Sequence, residues 1–336
     1  MERTKGLQEY IRSKEYRQGM GLAEEVQEKY ELLAQGEYNR NYLFTHPMTG
    51  KKLVLRVSFG SQMHLEDQIG YEYKALQLLR GSGRTPKPLY VDGSREILPY
   101  GVMVMEYLPG HALDYRKELP LAAECLADIH SVRLPEGHGL VSPKEPLRAI
   151  LEECEEMVKV YMESPAGGQR KKEKIRTLLD RGWERADALL PAEYQCCINT
   201  ELNSTNFLIN GEGKSNYLID WEKPLYGDPA QDLGHFLAPT TTFWKTDVIL
   251  EYEEVQHFID SYIEKVGGRY DTSAIRARTN VYIPITCLRG ITWCAMAWVE
   301  YQKPGKEIFN MSTYKKLEAY LSEAFLEDIE RNYYRI

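Results

Sequence analysis

The stretch Cys197-Ile-Asn-Thr-Glu-Leu-Asn-Ser-Thr-Asn-Phe-Leu-Ile209, followed shortly by Tyr217-Leu-Ile-Asp-Trp-Glu222, decides how the rest of the chain is read. Two apolar, strand-like runs, 207–209 and 217–219, flank the turn Asn210-Gly-Glu-Gly213, which is a hairpin signal. Asn206 stands just before the first run and Asp220 just after the second. Closing the hairpin therefore brings an amide oxygen and a carboxylate to one end. Hard oxygen donors of this kind suit a divalent cation such as Mg²⁺. Glu201, five residues before Asn206, adds a second carboxylate to the same loop.

Outward from this hairpin the chain divides by pattern. Residues 5–34 read as helix, with Leu22, Val26 and Leu33 among many charges, passing from Tyr30 into a strand that ends at Gly36. The runs 41–44 and 52–57 follow, separated by turns, and fit an antiparallel sheet. An amphipathic helix is expected over 63–81, with Gly81 as its C-cap. Further strands are expected at 90–93 and 101–108, and Pro109-Gly110 then punctuates the chain. Beyond it the pattern is helical apart from the hairpin, with a mobile basic loop expected at 164–174. The expectation is an α+β fold of two lobes, residues 1–108 and 109–336.

Composition narrows the classes of function. The 336 residues carry a formal net charge of −8, which argues against a general nucleic-acid binder and suits a cationic small molecule. No apolar run approaches the roughly 18 residues needed to span a bilayer, and the first 30 residues are charged throughout. Six Cys lack paired metal-type spacing and read as free thiols of a reducing compartment, so a cytoplasmic location is expected.

Single residues add chemistry. Arg56 lies in the otherwise apolar run Val54-Leu-Arg-Val57, where an unpaired charge would be costly. Its expected partner is Glu72 on the following helix, with Glu66 as the competitor. Gly36, between two strands, could let backbone N–H groups approach a phosphate. Asp228 before Pro229 reads as a helix N-cap. Helical spacing over 288–301 assigns Trp293, Met296 and Trp298 to a packed face, with an aromatic cage as the alternative.

The loop Asn199-Thr-Glu201-Leu-Asn203-Ser-Thr-Asn206, the strand end Asp220-Trp221-Glu222 and the segment Gly227-Asp-Pro-Ala-Gln-Asp-Leu-Gly234 together resemble the aminoglycoside phosphotransferase and choline kinase superfamily. The family loop is roughly His-x-Asp-x-x-x-x-Asn, so Asn199 stands for a His and Glu201 for the catalytic Asp. The resemblance implies a protein kinase-like fold with a five-stranded antiparallel sheet and a helical second lobe. It implies ATP or GTP with Mg²⁺ as cofactors, Asn206 and Asp220 as metal ligands, and Glu201 positioning an acceptor hydroxyl. Arg56, oriented by Glu72, would hold phosphates, and Met105, Glu106 and Tyr107 would form the hinge beside the base. Trp221 and Glu222 are expected near the acceptor, Asp232 as a buried anchor of the loop backbone, and His130 as a satisfied core histidine. The implied activity is phosphorylation of a hydroxyl on a small molecule, aminoglycoside-like or an amino alcohol, with choline, ethanolamine or a sugar as alternatives. A nucleotide-binding pseudokinase is the reading from a different class, motivated by Glu201.

Overall fold

The computed structural model describes residues 4–334 except Glu37, Gln62 and residues 304–309. Two short helices, α1 (Leu7–Tyr10) and α2 (Lys14–Met20), precede the strands β1 (Glu31–Gln35), β2 (Asn39–Thr45) and β3 (Lys52–Ser58). Helix α3 (Gln68–Leu79) leads to β4 (Pro88–Asp92) and β5 (Gly101–Glu106). These strands form one antiparallel sheet in the order β1-β2-β3-β5-β4.

Period-two alternation explains what each face of the sheet does. Leu53, Leu55 and Val57 point to one face and pack with Tyr42, Phe44, Val102 and Val104 against Leu7, Tyr10 and Tyr16. Val54 and Arg56 point to the other face, which forms one wall of a cleft shared with Asn39, Asn41 and Met105.

The remainder comprises α4 (Leu119–His130), α5 (Pro146–Glu163), α6 (Gln169–Trp183), β6 (Cys196–Ile198), the hairpin β7 (Phe207–Leu208) and β8 (Tyr217–Leu218), and β9 (Leu225–Gly227). Then follow α7 (Pro229–Leu237), α8 (Pro239–Lys245), α9 (Tyr252–Val266), α10 (Ile275–Gln302), α11 (Met311–Tyr320) and α12 (Glu323–Ile329). The long α10 packs on α5 and α7 in one large core, which also takes in Ile69, Leu76 and Leu79 of α3. All six cysteines are free and buried. Among the described residues no helix is long and apolar enough to cross a membrane.

Three sequence expectations are corrected. The helix over 5–34 is instead two short helices and an irregular stretch, because Ser13 caps α2 by accepting from the Tyr16 N–H and Gly21 ends it in the left-handed region. Gly81 does not cap α3; a 3₁₀ turn over Arg80–Ser82 intervenes and Gly83, at φ 67°, makes the left-handed cap. The loop expected over 164–174 ends at Gly168, since α6 begins at Gln169 and buries Ile175, Leu178 and Leu179 on one face.

Candidate active site

Loop 199–206 is held by its backbone. Asp232, fully buried in α7, accepts hydrogen bonds from the N–H groups of Asn199 and Thr200, both at 2.7 Å. His130 Nε2 lies 3.2 Å from the same carboxylate, and its Nδ1 lies 2.7 Å from the Tyr262 hydroxyl. Asp228 caps α7 by accepting from the Ala230 N–H and pairs with Arg278 of α10 at 2.6 Å. Thr200 and Asp220 both occupy the left-handed region, at φ 69° and 67°. Non-glycine residues rarely adopt it, and it is held only where surrounding contacts over-determine the backbone.

Asn199 ties the loop to the hairpin, its Nδ2 donating to the Asp220 carbonyl at 2.8 Å while its Oδ1 accepts from the Glu201 N–H at 3.1 Å. Asn206 donates its Nδ2 to the Glu201 carbonyl at 3.1 Å, which leaves the amide oxygen for another partner. The Ile219 N–H donates to the Asn206 carbonyl at 2.9 Å, so the approaches to Asn206 and Asp220 are locked side by side.

Both residues open on a cleft of about 660 Å³ that also contains Gly36, Arg56, Met105, Glu106 and Tyr107. The chain enters it from the sheet through Pro109-Gly110. Gly110 sits at φ 142°, and a Cβ there would lie 2.7 Å from the Leu208 carbonyl carbon, so only glycine permits this close crossing.

Arg56 is buried and faces three carboxylates. Its Nε lies 3.1 Å from Glu72, its Nη2 lies 3.1 Å from Asp220, and the same Nη2 bonds Glu222. Glu66, the competing partner, takes no part in this group; its carbonyl accepts from Arg95. Burial pushes the Glu72 carboxyl up to about 7, with Arg56 opposing and Asp220 adding to the rise. Burial likewise pushes Glu222 up to about 8, against Arg56 and with Asp220, Glu72 and Glu201 adding to it. The negative charge gathered here exceeds what one guanidinium offsets.

The donor set fits a hard cation. Asp220 keeps its side chain 45% exposed to the cleft, and Asn206 adds an amide oxygen. Among the described residues no group of three or more Asp, Glu, His or Cys side chains forms a closed metal cage. A cation on Asn206 and Asp220 would thus complete its shell with phosphate oxygens and water, as Mg²⁺ does in sites of this kind.

Two acceptor-side expectations are corrected. Trp221 is only 1% exposed and donates its Nε1–H to the Leu218 carbonyl at 3.1 Å, because an aromatic of that size completes the core under the hairpin. Glu222 turns to Arg56 and to the Asn39 amide, on the sheet side of the cleft.

Glu201 instead faces a second cavity, about 310 Å³, between α5, α7, α8 and α10. Asn203 lines both cavities and marks where they meet. The Glu201 carboxylate lies 3.4 Å from Arg289 Nη2. Arg289 also grips Glu153 through Nε at 2.9 Å, and Lys223 reaches Glu153 at 3.1 Å. Burial raises the Glu153 carboxyl, but Arg289 and Lys223 outweigh it and bring it down to about 2. His235, half-buried in the cavity wall, is lowered to about 3 by burial and then by Arg289 and Lys223. Trp293 reaches this cavity beside Trp244, whereas Trp298 packs on Tyr161 and bonds Glu318.

Sequence reasoning missed Arg289, Glu153, Lys223 and His235. Arg289 carried a usable signal, being a lone charge within the apolar run Cys287-Leu-Arg-Gly-Ile291.

Residues 29–264 match the phosphotransferase enzyme family as a whole, well over half the chain. The protein belongs to that family. As a member it is a small-molecule phosphotransferase that uses a hydroxyl as acceptor. No curated protein matches the sequence. Among solved structures, a candidate aminoglycoside phosphotransferase of Ralstonia eutropha superposes with a TM-score of 0.68 at 15% identity, covering 97% of this chain and 98% of that one. Spectinomycin phosphotransferase in complex with ADP and spectinomycin gives 0.63 at 12% identity, covering 92% and 93%. The Plasmodium vivax ethanolamine kinase gives 0.63 at 18% identity, covering 96% and 89%. At such identities the likeness establishes the kinase-like fold of this phosphotransferase and no substrate.

Proposed function

We propose that this phosphotransferase moves the γ-phosphoryl group of ATP or GTP, with Mg²⁺, to a hydroxyl held in the cavity beside Glu201. The observation that carries the reading is the arrangement of Asn206, Asp220 and Glu201 on one anchored loop and hairpin, at the junction of two cavities. The nucleotide belongs in the larger cleft, its base against Met105, Glu106 and Tyr107 and its phosphates toward Gly36 and Asp220. A similar fold solved with bound ADP supports the use of a nucleotide. Bound Mg²⁺ would neutralise charge on the phosphate oxygens, and Asn206 and Asp220 are the residues to hold it.

Arg56, oriented by Glu72 and paired also with Asp220 and Glu222 in the wall of the same cleft, is the residue to hold the phosphates. Glu201 orients the acceptor hydroxyl and accepts its proton late in transfer. Its extra methylene, relative to the family Asp, displaces the carboxylate by about 1.5 Å. Arg289 fixes that longer side chain from behind. The rival reading, a nucleotide-binding pseudokinase, draws on the same pair, because Arg289 engages the carboxylate that should meet the acceptor.

Nucleoside diphosphate release with Mg²⁺ and either triphosphate, over pooled hydroxyl acceptors, decides between them. Acceptor-dependent turnover that falls at least about 10²-fold in Asp220→Ala is the expected result. Nucleotide binding without acceptor-dependent release in any pool would favour the pseudokinase.

A further inference from the structure

The cavity beside Glu201 is electrically closed. Its two carboxylates, Glu153 and Glu201, are both bound by Arg289, and Glu153 is bound a second time by Lys223. Two cations and two anions thus cancel, and His235, held well below the usual imidazole range, adds no charge near neutrality. A cationic acceptor finds both carboxylates already paired and meets the Arg289 guanidinium in the wall, so nothing there replaces the hydration it gives up. An anionic acceptor finds the one guanidinium in the wall already paired with two carboxylates.

The walls are rich in other hydrogen-bonding groups. The Arg289 Nη1 makes none of the bonds that hold Nε and Nη2. Thr240, Thr241 and Thr286 bring hydroxyl groups, and Trp244 and Trp293 stand edge to face with centroids 5.2 Å apart. At about 310 Å³ the space lies at the small end of ligand sites. Thr240 already donates to the Thr286 carbonyl, and a purely apolar alcohol would leave the remaining hydrogen-bonding capacity of the wall unused, which binding penalises.

We propose that the acceptor is an uncharged, monosaccharide-sized polyol, and that Arg289 is the residue that excludes ammonium-bearing compounds. The inference rests on the phosphotransferase reading above. A polyol offers both donor and acceptor at each hydroxyl, matching guanidinium, carboxylate and threonine, and C–H faces for the tryptophans. In the transfer its hydroxyl oxygen forms the new P–O bond as the bond from the γ-phosphorus to the β–γ bridging oxygen breaks. The hydroxyl proton passes to Glu201, and the products are a polyol phosphate and the nucleoside diphosphate.

The test presents the intact protein, with Mg²⁺ and ATP or GTP, with three acceptor pools at matched concentration. One holds neutral monosaccharides and polyols, one aminoglycosides and ammonium alcohols, and one hydroxy acids. Nucleoside diphosphate release is read beside saturation-transfer NMR of acceptor binding. The neutral pool should raise release at least about 10-fold over the acceptor-free rate, the other two should not, and Asp220→Ala should abolish it. Arg289→Met should raise binding of ammonium alcohols at least about 10-fold relative to wild type. If that variant fails to fold, the wild-type pools decide alone. Response confined to ammonium or acidic compounds overturns the proposal and leaves the phosphotransferase reading standing. Binding of neutral polyols without transfer supports the pocket and overturns the transfer reading. Neither binding nor release with the neutral pool overturns the proposal.

Discussion

Arg56 and Arg289 are both arginines set into apolar elements, a strand and a long helix, yet they sit in opposite charge balances. Arg56 faces three carboxylates, with two of them pushed toward neutral pH by burial. Arg289 and Lys223 face two, and there Glu153 is drawn far below its ordinary range. The first group has surplus negative charge and a carboxylate open to the cleft, the condition for taking up a cation with its phosphates. The second is already balanced and has no electrostatic demand for a charged ligand. One chain thus uses the same side chain to prepare one cavity for charge and the other against it.

The largest expected effect separates the two arginines by stability. Arg56→Met leaves Glu72 and Glu222 buried without their cation and should cost about 3–5 kcal/mol in urea unfolding. Arg289→Met should cost about 1–3 kcal/mol, because Lys223 still reaches Glu153 and both carboxylates border a cavity. Equal losses would break the comparison.

A pH series probes the balanced side. His235 is lowered to about 3, so between its ordinary value near 6.5 and pH 5 the unfolded chain takes up a proton that the folded protein refuses. Stability must therefore fall as pH drops through that window. Urea unfolding at pH 7 and pH 5 should show wild type losing about 1–2 kcal/mol more than His235→Gln, which lacks the titrating ring. A parallel loss in both proteins would show that His235 is not held neutral by its surroundings.

The smallest effect sharpens the role of Arg289. Glu201→Asp restores the family residue but withdraws the carboxylate by about 1.5 Å from a guanidinium placed for glutamate. The kcat should fall by about 10-fold with KM little changed, since the loss is one of positioning. A rise in kcat instead would mean that the glutamate, not its partner, limits the chemistry.

Much of this site was legible in local pattern. The turn at 210–213 between two apolar runs placed Asn206 and Asp220 together, because hairpin closure is a short-range event. A charge within an apolar strand marked Arg56, and helical spacing brought Glu72 to it. The same rule applies to Arg289, but α10 carries other arginines, at 276 and 278, and its aromatic residues draw attention to packing instead. Trp221 misleads for a related reason. Its neighbours in sequence are functional, while its own side chain points away from them into the core.

By itself, the sequence determined the α+β layout, the family and the hairpin that sets Asn206 beside Asp220. Each of these depends on residues close in sequence or on a periodicity that local backbone geometry imposes. Only the tertiary structure decided that Glu153, from α5, Lys223 after the hairpin, and Arg289, from α10, neutralise one another around Glu201. Coulomb energy depends on distance and burial, and neither is written in sequence separation. Residues 153 and 289 lie 136 positions apart and become partners only when α5 and α10 pack.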